Sequence, residues 1–384
     1  MAKPALTLPA LALALALALA LLLALLLLCG SARAAPLTAA QQRYLGLART
    51  GVARAEHRWS DPRRGWYDAR LGDHDRYPLA TIWDIVPLFE AVDAVAIAEP
   101  TPASRKAVAR FATGAERYLN RALRPVPGFS PYPNDRSADT ETWFDDNGWW
   151  GLAFLNAYRA TGTRRWLADA ERALAYINAA GWDRQTGGIW WNTSHPYKAG
   201  EAIAAGTLLA TLLYQQTHSA AYLNMARTFL GWANTSGFSA SNGLYAGSSL
   251  NPTPIDYIEG PLIYAQAVLC QLTSERGDCE RSSELTATAL DRFGYLLDFS
   301  PQYDAIYLQW MLALYSIDHD PTLYELAADN ARDAQTRSLN GAGLYLFSWN
   351  GETLPAQDAV PGELQTQAAT TSLFAWLAVY QPPS

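Results

Sequence analysis

Beyond residue 37, apolar and polar positions recur with the period of an α-helix in almost every long segment of the chain. Alternation with the period of a β-strand is scarce, so the pattern predicts an all-α fold. The periodic segments predict about twelve helices, at residues 38–56, 82–98, 102–123, 144–160, 163–179, 199–217, 219–235, 257–274, 280–298, 303–317, 321–337 and 364–380.

Alternate predicted helices share a small motif, in which a large aromatic residue is followed four residues later by Ala. Residues four apart lie on one helix face, so each pair offers a protruding and a small side chain for packing. The pairs are Tyr44/Ala48, Tyr118/Ala122, Trp166/Ala170, Tyr222/Ala226 and Tyr324/Ala328. The predicted ninth helix should carry a pair and lacks the aromatic. Such a repeat indicates stacked helix hairpins of about 50 residues.

The connections between the predicted helices fall into two kinds. Those from even to odd helices are mostly short, whereas those from odd to even helices are long and aromatic, at residues 60–81, 125–143, 181–198, 236–256 and 339–363. Six hairpins in a ring place every long loop, and the start of every even helix, on one face. Long loops in a compact domain are usually functional. We therefore predict an (α/α)6 barrel with the even helices inside; an open solenoid of the same hairpins is the alternative.

The first 35 residues form a targeting segment. Lys3 precedes an Ala/Leu run that reaches Leu28, and Ala32-Arg33-Ala34 supplies a small-x-small cleavage site. The run is also long enough to cross a bilayer, so an uncleaved anchor is the alternative. We expect a signal peptide over residues 1–35 and a single domain over residues 36–384. The protein is then secreted, or held at the cell surface and in contact with the membrane if the segment is retained.

Composition narrows the class of partner. The formal net charge is −7 and no long basic run is present, which argues against nucleic acid and anionic membrane surfaces. The 14 Trp and 20 Tyr residues favour a glycan, because aromatic rings stack on sugar faces. We expect a polysaccharide or oligosaccharide substrate, a monomeric protein and no cofactor.

Two cysteines follow the targeting segment, Cys270 and Cys279, and they flank a predicted turn between helices. In an exported protein they could form a disulfide, or they could remain free, because their separation in space cannot be read from sequence. The chain shows no spacing typical of metal ligands, no Gly-rich phosphate loop and no nucleophile elbow. We therefore expect no metal site, and we assign no catalytic role to the five scattered histidines.

The stretch from Trp143 to Trp150 places two adjacent carboxylates, Asp145 and Asp146, among four aromatic residues. It lies at the predicted start of the fourth helix, where free N–H groups and the helix dipole favour negative charge. Asp145 could simply cap that helix. On the loop-rich face, however, the pair could be catalytic. A retaining glycosidase needs its carboxyls about 5–5.5 Å apart and an inverting one needs roughly 6.5–9.5 Å, and adjacent residues fit the shorter distance better.

In such a pair, one carboxylate attacks the anomeric carbon while the other protonates the leaving oxygen and later deprotonates the incoming water. The helix start would keep the nucleophile ionised. The like charge beside it and the aromatic frame would raise the pKa of the second carboxyl into the range of an acid catalyst.

Polar and aromatic residues also open the other even helices, although each could be only a cap or a first-turn acid. Their common placement predicts a substrate cleft, which we assign to Trp83, Asp84, Trp143, Asn147, Trp149, Trp150, Glu201, Tyr257, Glu259, Asp304 and Gln365. Asp256, Tyr303, Glu363 and Gln367 share the placement without being assigned. In a loop after two glycines, Trp190, Trp191 and Asn192 are predicted to form a platform for sugar stacking; a role in loop packing is the alternative.

The run from Trp143 to Tyr158, then Gly181-Trp182-Asp183 and Gly187 to Trp191, resembles glycoside hydrolase family 76, the endo-acting α-1,6-mannanases and related fungal cell-wall proteins. The resemblance covers nearly the whole chain after the targeting segment. It implies an (α/α)6 barrel, hydrolysis with retention of configuration, Asp145 as the nucleophile and Asp146 as the acid/base.

The chain departs from the family at several positions expected to touch sugar. Residues 200–205, with Glu201, stand where the family tends to have Lys-Asn and Ser-Asn pairs; residues 256–260 replace a Thr-Tyr-Asn-Gln-Gly run; and Asp304 matches a Lys. These positions become more acidic, so an α-linked glycan other than mannan is an open alternative. Two others are a transglycosylase that uses the same pair and a barrel that binds glycan without turnover.

Overall fold

Twelve α-helices make up most of the described structure. The computed structural model describes residues 36–72, 79–235, 238–240, 242–351 and 362–383. The helices are α1 (Ala39–Trp59), α2 (Ile82–Ala98), α3 (Pro102–Ala115), α4 (Phe144–Thr161), α5 (Arg164–Tyr176), α6 (Gly200–Thr217), α7 (Ala220–Thr235), α8 (Asp256–Thr273), α9 (Arg276–Phe293), α10 (Pro301–Asp318), α11 (Pro321–Arg337) and α12 (Leu364–Val379). Each follows one of the predicted segments, so the all-α prediction is confirmed.

The even helices form a closed inner ring. Contacts run in order from α2 through α4, α6, α8 and α10 to α12, and α12 packs in turn against α2. Each odd helix packs on the outside, against its inner neighbours. The inner helices are buried on nearly all sides; in α12, for example, every residue from Leu364 to Ala378 is buried. The structure is therefore an (α/α)6 barrel, and the open solenoid is wrong.

The predicted third helix ends early. It was expected to reach residue 123, but α3 stops at Ala115, and after one 3-10 turn Leu119–Asn120 (β3) pairs with Gly128–Phe129 (β4). The Asn120 side chain donates to Ser130 Oγ at 2.9 Å and to Ser137 O at 2.7 Å. These bonds to the following loop replace the helical ladder, which is why the periodicity beyond Ala115 does not become helix. A second two-stranded sheet pairs Ser60–Asp61 (β1) with Trp66–Tyr67 (β2).

Short connections between hairpins share one device. The residues after α4, α6, α8 and α10 adopt the left-handed conformation, and each donates its N–H to the carbonyl four residues earlier. They are Gly162, His218, Ser274 and His319, with φ between 56° and 71°. This closes each helix with a left-handed cap and turns the chain at once towards the next outer helix.

The disulfide between Cys270 and Cys279 is formed, with their Cα atoms 4.9 Å apart. It joins the end of α8 to the start of α9. The ninth helix was expected over residues 280–298; it begins and ends earlier and stops at Gly294, which has a φ of 72°.

The chain divides into a short unit, Met1–Leu37, and one larger unit, Thr38–Ser384, which holds the barrel. The predicted signal peptide lies outside the described residues, and its cleavage stays a prediction. Among the helices of the described part, none combines the length and the hydropathy that crossing a membrane requires.

Candidate active site

The first turn of α4 carries Asp145 and Asp146 into the interior of the barrel end, where they are only 9% and 6% exposed. The N-cap is Trp143, so Asp145 is not the cap that the simpler interpretation required. Phe144 N–H donates to Trp191 O at 3.0 Å, which ties this helix start to the following long loop. One carboxyl oxygen of Asp145 receives no hydrogen bond from any described residue.

Two neighbouring inner helices approach unusually closely at this end. A Cβ on Gly148 would lie 2.4 Å from the Cβ of Ala205 on α6, so only glycine fits there. Gly148 lies about one turn after Asp145, and Ala205 about one turn after Glu201. The close approach therefore brings the first turns of α4 and α6 together, with Asp145 on one and Glu201 on the other.

The three carboxyls titrate far from their ordinary range. Burial raises the pKa of Asp145 to about 7, against the opposing effect of the backbone N–H groups of the helix start. Burial, then the charges of Asp145 and Asp84, raise the pKa of Asp146 well above its usual value. Burial and the charge of Asp145 raise the pKa of Glu201 to about 8. A pKa of about 7 leaves Asp145 only partly ionised near neutral pH, while burial and the neighbouring charges favour the protonated form of Asp146.

Aromatic rings from four inner helices face these carboxyls. The rings of Tyr257 and Tyr303 lie 4.6 Å apart, Trp83 lies 5.6 Å from Tyr303, and Trp149 lies 6.3 Å from Tyr257. Burial and then the charges of Glu201 and Asp145 raise the pKa values of both tyrosines, which places both rings near the carboxyls. The result is an aromatic wall beside the acid pair.

A cavity of about 720 Å³ lies at this end of the barrel, lined by loops and helix starts that include Asp84, Trp143 and Gln365. These residues are chain neighbours or hydrogen-bond partners of Trp83 and the acid pair, whereas Asp145 and Asp146 are not among the described lining residues. Asp84 accepts hydrogen bonds from the Thr81 N–H and hydroxyl at 2.8 and 2.7 Å, so it both caps α2 and lines the cavity. Gln365 Nε2 donates to Trp83 O at 2.6 Å. Of the charged lining residues that the structure describes, all but one are acidic: Asp84, Asp135, Asp139, Glu141 and Glu363, with Arg70.

Three assigned residues point away from this cavity. Trp150 is fully buried on the other side of α4, with Phe89, Tyr118 and Phe154 around its ring. The Asn147 side chain accepts from Phe129 N–H and donates to Phe129 O, both at 2.9 Å, and so holds β4 against α4. Glu259 is fully buried and accepts from Tyr245 N–H at 2.7 Å. These three residues were assigned to the substrate cleft, and we correct that assignment, because their rings and hydrogen bonds hold helices and loops together.

Of the three residues predicted to form a sugar-stacking platform, only Trp191 lies at the cleft. The Trp190 ring is covered by the Lys198 ammonium, 3.2 Å from its centroid, and stacks on His195. Lys198 is itself paired with Asp183 at 2.6 Å, so Trp190 fits the loop-packing alternative. Asn192 is buried, and its side chain accepts from Ser194 N–H at 3.0 Å. Trp191 lies 6.0 Å from Trp143, at the edge of the cleft, and remains a candidate.

Asp304 faces a different cavity. It is buried beside Asp256, with Phe299 and Asp298 near it, and not beside the acid pair. Two residues near the pair went unassigned, Tyr303 and Tyr197. Burial and the charges of Glu201 and Asp145 raise the pKa of Tyr197 to about 12. The position of Tyr303 at the start of an inner helix, next to Asp304, was a sequence signal that could have identified it. Tyr197 lies in an aromatic loop, where no sequence pattern distinguishes it.

In the part of the chain that the structure describes, no three His, Cys, Asp or Glu side chains are grouped closely enough to hold a metal ion.

The sequence model of glycosyl hydrolase family 76 matches residues 127–382. No curated protein gives a significant sequence match. Solved structures do resemble this one. A family 76 glycoside hydrolase from a bovine Bacteroides thetaiotaomicron strain is 19% identical, with a TM-score of 0.78 over 88% of this chain and 77% of that one. A family 76 α-mannanase of Bacteroides thetaiotaomicron is 18% identical, with a TM-score of 0.79 over 88% and 95%.

A third structure contains a ligand. It is an inactive variant of an α-1,6-mannanase from a Salegentibacter species, with two consecutive aspartates changed to asparagine, in complex with α-1,6-mannotriose. It is 15% identical to this chain and has a TM-score of 0.70 over 88% of this chain and 99% of that one. At such identities the likeness establishes the shared fold.

Proposed function

Because the chain belongs to glycosyl hydrolase family 76, we propose that it is an exported, retaining α-glycoside hydrolase that cleaves α-1,6-mannan, or a related α-linked glycan, at internal bonds. The observation that carries the proposal is the buried pair Asp145–Asp146 at the start of an inner helix. Near neutral pH Asp145 is partly ionised, and its charge together with burial favours the protonated form of Asp146, so a carboxylate and a carboxylic acid can lie side by side. A double displacement on a sugar needs both forms.

The two groups divide the chemistry by environment. Asp145 attacks the anomeric carbon as the carboxylate, while Asp146 gives its proton to the leaving glycosidic oxygen; the C–O bond breaks as the bond to Asp145 forms. Water then attacks the same carbon and passes a proton to Asp146, and Asp145 leaves. Two inversions at one carbon return the original configuration. The N–H groups of the α4 start favour the ionised form of Asp145, which supports its role as the nucleophile.

The surroundings support a glycan as the substrate. The rings of Trp83, Tyr257 and Tyr303 supply apolar faces for sugar rings and remove water from around the carboxyls. The cavity of about 720 Å³ is in the upper part of the range for ligand sites, roughly 300–1,000 Å³, and exceeds what one sugar ring requires. An open site of this size supports cleavage within a polymer. In the Salegentibacter mannanase, the inactive variant that holds α-1,6-mannotriose has asparagine in place of two consecutive aspartates.

The test compares wild type with Asp145→Asn and Asp146→Asn on α-1,6-mannan and related α-mannans. We expect both variants to lose at least about a thousandfold in kcat/KM, because each removes a group on which the chemistry depends. Asp291→Asn is the matched control, since Asp291 is an exposed residue on the outer helix α9. The product sizes and the anomeric configuration report the mode of cleavage, and an added acceptor oligosaccharide reveals transfer. Equal activity in all four proteins would remove the pair from the mechanism.

A further inference from the structure

Four arginine side chains surround another cavity, on the outer side of the barrel, between the segment that follows α3 and the outer helix α5. Its volume is about 340 Å³. The charged lining residues that the structure describes are Glu116, Arg121, Arg136, Arg165, Asp169 and Arg172. We refer to this cavity as the arginine pocket. Four arginines and two acids give it a formal charge of +2, in a protein whose formal net charge is −7.

The two acids lie beneath the guanidinium groups. Glu116 accepts two hydrogen bonds from the Arg165 guanidinium. Asp169 accepts one from Arg172. The acid side chains are 19% and 4% exposed, whereas those of the two arginines are 58% and 30% exposed. A guanidinium has five N–H donors, so each acid fixes the orientation of its arginine and leaves further donors and positive charge facing the solvent.

The other two arginines have no acid partner among the described residues. Arg136 Nη1 donates to Leu119 O at 3.1 Å and to Asp135 O at 2.7 Å, which positions the guanidinium without neutralising it. The Arg121 side chain is exposed and makes no hydrogen bond or ion pair with any other residue that the structure describes. Like charges around one pocket repel each other, and an anion that bridges them replaces this repulsion with attraction.

The arrangement favours a tetrahedral oxyanion. The guanidinium groups come from three separate segments, which are the residue after β3, the loop at residue 136 and the first half of α5. A carboxylate has two oxygens in one plane, whereas the oxygens of a phosphate point in several directions and can be shared among guanidinium groups on different sides. A volume of 340 Å³ is within the range for ligand sites, roughly 300–1,000 Å³, and accommodates a phosphate with a sugar ring attached.

The arginine pocket shares a loop with the candidate active site. Asp135 and Ser137 line the cavity of about 720 Å³, whereas Arg136, between them in sequence, lines the arginine pocket. Asn120 Nδ2 donates to Ser137 O at 2.7 Å, which holds this loop against β3. The two cavities therefore lie on opposite sides of one loop, with acidic residues on the inner side and arginines on the outer side. A glycan that extends from the cleft across this loop reaches the arginines.

We propose that the arginine pocket binds a phosphate group carried by a sugar of the glycan, and so holds a phosphorylated branch or neighbouring unit beside the cleft. The choice of a glycan as the carrier rests on the proposed function, whereas the recognition of a phosphate group does not. The acidic lining of the cleft repels the same group, so the phosphate is directed to the arginine pocket and the neutral backbone of the glycan to the cleft.

The probe is D-mannose 6-phosphate, with D-mannose as its uncharged counterpart, titrated calorimetrically into the full chain at low ionic strength in a buffer without phosphate. We expect mannose to bind at least roughly tenfold more weakly than mannose 6-phosphate, because charge-assisted hydrogen bonds supply most of the affinity. Arg121→Gln and Arg136→Gln should each weaken the binding of mannose 6-phosphate roughly fivefold. Because Arg121 is exposed, Arg121→Gln keeps the test valid if Arg136→Gln fails to fold.

Arg105→Gln is the matched control. It removes the same charge from an exposed position on the outer helix α3, outside the pocket, and should leave the binding of mannose 6-phosphate unchanged. Asp146→Asn distinguishes the pocket from the cleft and should also leave this binding unchanged. An equal loss of binding in Arg105→Gln and Arg121→Gln would overturn the proposal, because it would reduce the effect to net charge. Binding that is lost in Asp146→Asn but kept in both pocket variants would overturn it as well.

Three further outcomes would contradict the proposal. Mannose that binds as tightly as mannose 6-phosphate would remove the phosphate from the recognition. D-glucuronate that binds as tightly would overturn the choice of a phosphate over a carboxylate. Binding to phosphatidylglycerol vesicles with no binding of mannose 6-phosphate would point to a membrane surface instead. Hydrolysis of α-mannan by a wild type that binds no mannose 6-phosphate refutes this inference alone; binding of mannose 6-phosphate without hydrolysis refutes only the proposed function.

Discussion

Glu90 offers a quantitative test of the electrostatics inside the barrel. It lies on α2, is 7% exposed, and accepts hydrogen bonds from Asn156 Nδ2 at 2.9 Å and Gln309 Nε2 at 3.1 Å. Burial raises its pKa from an ordinary 4.5 to about 7, although both hydrogen bonds and the charge of Arg159 oppose the rise. Glu90→Gln keeps the shape and an oxygen for both donors, and it removes the proton that titrates.

The effect of this change on stability depends on pH in a definite direction. The folded protein binds the Glu90 proton more tightly than the unfolded chain, so this group favours folding below pH 4.5 and progressively less as the pH rises to about 7. A pKa difference of about 2.5 corresponds to roughly 3 kcal/mol, since each whole step is about 1.36 kcal/mol. We expect Glu90→Gln to match wild type near pH 4.5 and to be more stable by roughly 3 kcal/mol at pH 8.

The assay is the free energy of unfolding in urea, measured at intervals from pH 4.5 to 8.5 with the disulfide intact. Glu325→Gln, an exposed position on outer helix α11, is the matched control and should follow the wild-type curve. A neighbour, Asp93, is buried and feels the charge of Glu90, so some dependence on pH should persist in the variant. Parallel curves for wild type and Glu90→Gln would refute the reasoning, because they would mean that Glu90 titrates alike in both states.

Three further changes test the cleft and the turns. Glu201→Lys puts an ammonium group beside Asp145 and should move the acid limb of the kcat/KM profile down by about one pH unit or more. Glu201→Gln should leave that limb nearly in place. An unchanged limb in both variants would contradict the proximity of Glu201 and Asp145. Gly148→Ala should lower the free energy of unfolding by about 1–3 kcal/mol because its Cβ meets α6. Gly46→Ala, where a Cβ has open space, should be neutral or slightly stabilising. Equal shifts in melting temperature would contradict the close approach of α4 and α6. Ser274→Gly, at a φ of 57°, should raise the melting temperature by an amount equivalent to roughly 1 kcal/mol, and a lower value would argue against the left-handed cap.

Periodicity located the helices because an outer helix shows one apolar face and an inner helix is apolar nearly all round. The same property hides which way an inner helix points. Trp149 and Trp150 are adjacent and similar, yet one faces the acid pair and the other packs on Phe89 and Phe154. When every face of a helix is buried, its hydrophobic pattern does not indicate which face points into the barrel. Only the tertiary contacts distinguish the lumen from the interface within the hairpin.

Long loops limited the prediction of the site in a different way. Glu259 was assigned to the cleft from its position at a helix start, but the backbone N–H that it accepts belongs to Tyr245, in the loop before the helix. Asp304 faces a cavity whose other side is built by residues 251–255. The adjacent pair Asp145–Asp146 could be proposed from sequence because both members and their aromatic frame lie within eight residues. Contacts made across loops leave no comparable local pattern.

The closure of the ring by α12 has a consequence for the order of events during synthesis. Gln365 on α12 donates to Trp83 O across 282 residues, and Gln41 on α1 donates to Ala378 O across 337. One wall of the cavity beside the acid pair is therefore supplied by the twelfth helix of the barrel, which leaves the ribosome after the other eleven. A nascent chain already contains Asp145 and Asp146 but cannot assemble the finished cleft around them. Closure of the barrel and completion of the cleft are thus the same event, and a chain that stops before α12 should lack the activity proposed for Asp145 and Asp146.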